Sequence, residues 1–157
     1  MTIELGHIYE ILKLISIVLI LIFIAIKDIR EYRIPNKLLI LAISIRTIIF
    51  IAELIQHRVD IGEIKEKLVV VLLILVIGII TNIITHNGIG LGDIKLLMTV
   101  ALYIENSKII EVIFNSIFIM GIIAIILLIA KRKRRKDIVP FAPAILIAVL
   151  VTGLSYL

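Results

Sequence analysis

Two aspartates stand out in a chain that is otherwise largely hydrocarbon. Asp28 opens the segment DIREYRIPN, residues 28 to 36, and Asp93 closes GIGLGD, residues 88 to 93. Ionisable groups at membrane depth are costly and by default functional. Two carboxylates brought close in a low-dielectric site cannot both ionise easily, so the pair shares a proton and titrates jointly. Such a pair can activate a water through one member and protonate a leaving amine through the other, which is the chemistry of an aspartic protease. Each acid also has a plainer reading on its own. Asp28 suits an interfacial charge pairing with Lys27 or Arg30, and Asp93 suits a cap in the first turn of a helix, where the dipole favours a carboxylate.

The flanking residues set backbone geometry around both acids. Pro35 cannot donate a backbone hydrogen bond and biases Ile34 away from helix. Asn36 is then expected to cap a helix beginning at Lys37. Gly88, Gly90 and Gly92 are three of only eight glycines, and they predict positive φ, a sharp turn and close backbone approach. Lys95, two residues past Asp93, points to the other side of its helix. No Gly-Lys-Ser/Thr ending follows the glycines, so a Walker-type phosphate loop is a poor reading. A third segment, DIVPFAPAI from Asp137 to Ile145, carries Pro140 and Pro143. These can hold an extended entry whose backbone edge aligns a peptide as an added strand, or they can simply start a helix.

Few other residues offer chemistry. Arg46 is expected in a structural ion pair, with Glu53 or with an acid on another helix, or snorkelling to an interface. His7, His57 and His86 lack metal-ligand spacing, and the absence of cysteine excludes disulfides and thiolate sites. No metal and no cofactor are expected.

The elements that must position these residues are membrane helices. The chain of 157 residues is 62% hydrophobic, against roughly 45–50% in a soluble domain, and its mean hydropathy is +1.24. An all-α, polytopic membrane protein of about six transmembrane helices is predicted, over 8–26, 38–55, 68–84, 91–104, 109–130 and 138–157, as a single domain spanning 1–157. The fourth span would rise only about 21 Å, short of a hydrocarbon core of about 30 Å, so it must be buried among its neighbours or borrow from its flanks. MTIELGHIYE has no basic residue before Lys13, unlike a cleavable secretory signal, and the first helix is expected to be retained. Lys27, Arg30, Arg33, Lys37, Lys95 and the run KRKRRK at 131–136 make up most of the 17 basic residues. They all follow spans one, three and five. The positive-inside rule therefore places those loops in the cytoplasm and both termini outside. Orientation in the bilayer accounts for the net charge of +5, and no nucleic-acid partner is expected. No internal repeat suggests a transporter of two halves.

DIREYRIPN, GLGDIKLL and PFAPA, in this order and spacing, resemble the type IV prepilin peptidase family, membrane aspartic proteases of the G-x-G-D type. The resemblance implies a multi-pass enzyme of the cytoplasmic membrane. It would cut a short basic leader from prepilin-like membrane proteins at the cytoplasmic face, after a glycine and before the pilin's hydrophobic helix. By motif position the catalytic aspartates fall on Asp28 and Asp93. Gly90, Gly92, Pro140, Phe141 and Pro143 fall on substrate-positioning sites, and Arg33, Pro35, Asn36, Gly88 and Lys95 on the structural motif. The cysteine-bearing cytoplasmic insertion of larger members is missing, so peptidase activity without methyltransferase activity is expected, as in the short form linked to Flp-type pilins. A proton-coupled carrier and a non-catalytic scaffold of a pilus or secretion machine are the alternatives.

Overall fold

The computed structural model of the chain describes residues 2–86, 88–130 and 139–154. It contains α1 (Thr2–Glu31), α2 (Asn36–Ile55), α3 (Ile61–Ile84), α4 (Leu91–Tyr103), α5 (Ile109–Ile129) and α6 (Ala142–Leu154), with a 3-10 turn at Asn106–Lys108. Among the described residues there is no strand. In hydrocarbon every backbone polar group must find its partner within the protein, and a helix does this segment by segment. The exposed surface is correspondingly apolar: α3 has no buried residue and turns Leu72, Val76, Ile80 and Ile83 outward. This is a multi-pass membrane protein.

Each predicted span corresponds to one of these helices, but α1, α2 and α3 overrun their apolar runs. Four stretches, 6–31, 36–55, 61–84 and 106–129, are long and apolar enough to cross a membrane, and α6 is a shorter apolar helix over its described length. The full-length spans among the described residues thus number four, against the six expected. α4 has 13 residues and reaches only about 20 Å. Hydropathy marks only the part of a helix lying in hydrocarbon, whereas backbone hydrogen bonding continues through polar flanks. α3 therefore starts at Ile61 rather than Leu68, its first N–H donated to Asp60 Oδ1 over 2.7 Å. At α2 the cap is Pro35, not Asn36. The Pro35 backbone is extended (φ −74°, ψ 118°), and its carbonyl accepts from the N–H groups of Leu38 and Leu39. Asn36 becomes the first helical residue.

Of the two possibilities left open for the fourth span, burial is the one realised. α4 packs against α1, α2, α3 and α6 and buries Ile94, Leu96, Thr99, Val100, Ala101 and Tyr103. Ile17, Leu21 and Ile24 of α1 and Ala144, Ile145 and Ala148 of α6 complete the core around it. Small residues allow close approach: Ala144 and Ala148, one turn apart, are fully buried, as expected where packing rather than water expulsion holds helices together. A methyl group placed on Gly78 of α3 would lie 2.8 Å from Ile94 Cγ2, so those two helices touch backbone to side chain.

At the end of α4 remote from Asp93, charges do the joining. Arg46 donates from Nη1 to Glu53 Oε2 over 2.9 Å and from Nε to the Leu102 carbonyl over 2.8 Å. Lys13 Nζ lies 3.2 Å from Glu53 Oε1, Lys67 donates to the Ile104 carbonyl, and the Tyr103 hydroxyl donates to the Ala42 carbonyl over 2.6 Å. Arg46 thus pairs two turns along its own helix and also supplies a partner to a carbonyl at the end of α4. A cavity of about 450 Å³ opens beside this cluster, lined by Arg46, Glu53, Lys67 and Tyr103 among others.

Two outcomes follow for stability in detergent, both read by thermal unfolding. Gly78→Ala is expected to cost about 1–3 kcal/mol through overpacking against Ile94, whereas Gly121→Ala, where a methyl meets nothing within 4 Å, is expected to be neutral or slightly stabilising. Arg46→Leu leaves Glu53, 3% exposed, short of its main partner and is expected to cost about 3 kcal/mol. Adding Glu53→Leu to that variant should recover most of the loss.

Candidate active site

Asp28 lies near the C-terminal end of α1, is only 5% exposed and is bonded to the other end of the chain. Its Oδ2 accepts the N–H of Ala142 over 3.0 Å. The reason lies in how α6 begins. The first N–H groups of a helix have no partner within it, and Pro143, in the first turn, has none to give. The carbonyl of Phe141 starts the helix by accepting from Ala144 (3.0 Å) and Ile145 (3.2 Å). The N–H of Ala142 is left pointing outward, and a carboxylate is the favoured partner at a helix N-terminus. Asp28 therefore ties α1 to α6.

Asp93 sits in the first turn of α4, whose cap is Gly90 (φ −66°, ψ 135°). Its carboxylate accepts the backbone N–H of Gly90, as the third residue does in a capping box. The Asp28 charge also acts on it directly across the gap between α1 and α4. Asp93 sits as a cap and is within reach of the Asp28 charge, so a capping position does not by itself decide between the two readings left open by the sequence.

The glycines act by closeness rather than by unusual backbone angles. Among the described residues no glycine has positive φ, and the left-handed residues are Tyr32 (φ 52°), His57 (φ 51°) and His86 (φ 52°). Among the described residues, left-handed backbone near the glycine cluster falls on His86, and after Asp28 on Tyr32. A methyl on Gly90 would lie 3.0 Å from Asp93 Oδ2, and one on Gly92 would lie 3.3 Å from Ile34 Cβ. Ile34 belongs to the connection that follows Asp28, so Gly92 lets the start of α4 press onto that loop. Gly88 donates its N–H to Thr85 Oγ1 over 3.2 Å, fixing the exit from α3.

The other sequence-predicted positions divide clearly. Arg33, Asn36 and Lys95 are exposed, and Pro35, Pro140 and Pro143 are half-buried. The Phe141 side chain is buried in the core, so this residue can meet a peptide only through its backbone. Val139 and Pro140 are outside any helix, as expected of an extended entry to α6. Asp137, Ile138 and the basic run 131–136 lie outside the described residues. Among the described residues no group of three or more His, Asp or Glu side chains is placed to hold a metal ion. Two contributors escaped the sequence reading. Ile34 carried a signal, as an apolar residue held between Arg33 and Pro35; the N–H of Ala142 carried none.

Compared with known protein families, residues 15–125 match the type IV leader peptidase family. The chain belongs to that family. No curated protein and no solved structure matches it. The stretch shared with the leader peptidases contains both aspartates and all three glycines of the cluster, and it ends within α5, before the proline segment. The membership makes this a peptidase.

The structural contribution of Asp28 can be measured by itself. Asp28→Ala removes the acceptor for Ala142 and is expected to cost about 1–3 kcal/mol. Asp28→Asn keeps a carbonyl oxygen in place and should retain most of that stability. Thermal unfolding of the two variants side by side measures the difference.

Proposed function

We propose that the chain is an aspartic endopeptidase that removes the short basic leader of type IV prepilin-like proteins, with Asp28 and Asp93 as its catalytic pair. The observation that carries this reading is that two aspartates on different helices, α1 and α4, come to the same end of the bundle, within reach of each other's charge and with the start of α4 packed on the loop after Asp28, in a member of a leader peptidase family. One carboxyl of the pair holds the shared proton. The ionised member takes a proton from water, and the oxygen attacks the scissile carbonyl. The protonated member hydrogen-bonds the oxygen on which charge develops. The carbon–nitrogen bond then breaks as a proton passes to the leaving amine, leaving one proton on the pair.

The active site faces the cytoplasm in this reading, because the loops at that end carry most of the basic residues. The termini then lie outside. The leader enters from the cytoplasm with its hydrophobic helix in the bilayer, and its backbone runs along Val139 and Pro140 as an added strand. Gly90 and Gly92 keep that approach open, the small Flp-type pilins are the favoured substrates, and no methyltransferase activity accompanies cleavage.

Co-expression with a prepilin-like substrate tests the pair. Asp28→Asn and Asp93→Asn are each expected to lower leader removal by about 10²–10⁴-fold while the protein stays folded and in the membrane. Leader removal that persists in either variant would sink the pairing. Transport dependent on the same aspartates, without cleavage, would point to a proton-coupled carrier, and neither activity to a scaffold. With the wild type, cleavage should fall at both pH extremes, as the pair becomes doubly protonated or doubly ionised.

A further inference from the structure

The cavity of about 450 Å³ at the C-terminal end of α4 is partly open, and it exists because that helix is short. Its 13 residues rise about 20 Å, against a hydrocarbon core of about 30 Å. α1, α2 and α3 continue past its last turn and line the space left over it. The cavity lies at the end of the bundle away from Asp28 and Asp93, so the peptidase site does not account for it.

Its charges are arranged in two tiers. The inner tier is cationic. The side chains of Lys13 and Arg46 are only 12% and 11% exposed, Lys67 is half-buried, and Glu53 is the one buried acid among the described lining residues. Glu10 reaches inward to Lys13 over 2.5 Å, which leaves Arg46 and Lys67 facing Glu53 alone. Arg46 has five N–H donors and Lys67 three. Their bonds to Glu53 and to the end of α4 use two of the first and one of the second. Lys67 stands about 9 Å inside α3, a depth at which a cation calls for an anion. The outer tier is acidic: Glu10, Glu63, Glu66 and Glu105 line the cavity and are all exposed. One side is apolar. Phe50 of α2 and Leu68 of α3 border it, Leu68 is 59% exposed, and α2 and α3 do not pack along one another, leaving a gap toward the surrounding lipid.

We propose that this cavity binds the headgroup of a zwitterionic aminophospholipid. The order of charge in such a lipid matches the order in the cavity. Its phosphate, next to hydrocarbon, meets Arg46 and Lys67. Its ammonium, further toward water, meets the exposed glutamates, and an acyl chain lies along Phe50 and Leu68. Basic pockets between membrane helices hold lipid phosphates, and the acidic rim adds selection among them. A headgroup that is anionic throughout is repelled at the rim, and a trimethylated amine has no N–H to donate there. The lipid fills the space that the short helix leaves.

The test follows the unfolding temperature of the full chain, purified in detergent and stripped of lipid, during titration with short-chain phosphatidylethanolamine, phosphatidylcholine, phosphatidylglycerol or inorganic phosphate. A ligand that binds only the folded chain stabilises it, so phosphatidylethanolamine is expected to raise the unfolding temperature by about 5 °C or more near saturation. The choline and glycerol lipids should need roughly tenfold higher concentrations for the same shift, and phosphate alone should give none. Lys67→Gln is expected to weaken binding of all three lipids about tenfold. Combining Glu66→Gln with Glu105→Gln, at two exposed positions, should leave the lipid-free unfolding temperature unchanged and bring the ethanolamine and choline lipids to within about threefold of each other. This rim variant carries the test if Lys67→Gln does not fold. Equal shifts with all three lipids, no shift with any, or an ethanolamine preference that survives the rim variant would overturn the proposal. A preference for the glycerol lipid would overturn it in favour of an anionic lipid, and a shift with inorganic phosphate equal to that with the ethanolamine lipid would overturn it in favour of a free anion.

Discussion

The structure depends on a helix that is too short for its environment. α4 has 13 residues and is surrounded by four other helices. A helix leaves unpaired carbonyls at one end and unpaired N–H groups at the other, and in a membrane each costs several kcal/mol if nothing meets it. At the C-terminal end, Arg46 and Lys67 meet the carbonyls of Leu102 and Ile104. At the N-terminal end, the Asp93 carboxylate meets the N–H of Gly90. The arrangement anchors α4 at both ends with groups of opposite charge, in the sense that its dipole favours. The buried ion pair of Arg46 and Glu53 follows from this. Arg46 is needed at Leu102, and an arginine at that depth requires an acid of its own.

The same constraint places the two aspartates. Each is held by the N-terminus of a helix: Asp28 by α6 and Asp93 by α4. Both N-termini come to one end of the bundle because α4 and α6 follow connections at that end, and Gly92 over Ile34 lets the start of α4 close onto the loop after Asp28. The carboxylates are thus fixed by backbone donors, which need no side-chain rotamer to be frozen and so hold their geometry at little entropic cost.

How far the sequence disclosed this depends on what each feature signals. Apolar runs located all six helices, and the shortness of α4 was plain from its length, with burial one of two ways to accommodate it. Asp93 in the first turn of α4 could be placed because a glycine cap and an acid have known positional preferences. Helix ends were read less well. The Pro35 cap was assigned to Asn36, because a backbone carbonyl can start a helix without any side-chain signature. The left-handed backbone credited to glycine falls, among the described residues, on His86, since it depends on the tertiary setting as well as on residue type. Arg46 and Glu53 were seen as a candidate pair, but Lys13, Lys67 and Tyr103 were not connected to them. Those contacts join residues far apart in the chain, and only packing decides them.

The contact that holds Asp28 is made by backbone. The matched stretch, 15–125, holds both aspartates yet omits α6, which supplies Asp28 with its only described donor, the N–H of Ala142. That contact asks little of side-chain identity. It requires a helix N-terminus at the right place, a small residue where α6 meets α1, and a following residue that does not compete for the carboxylate. Pro143 meets the last condition by having no N–H, and Ala142, fully buried, meets the second. A sequence can drift widely under such terms while the geometry around Asp28 persists. The position of Asp28 is therefore set by where α6 begins rather than by which side chains α6 carries.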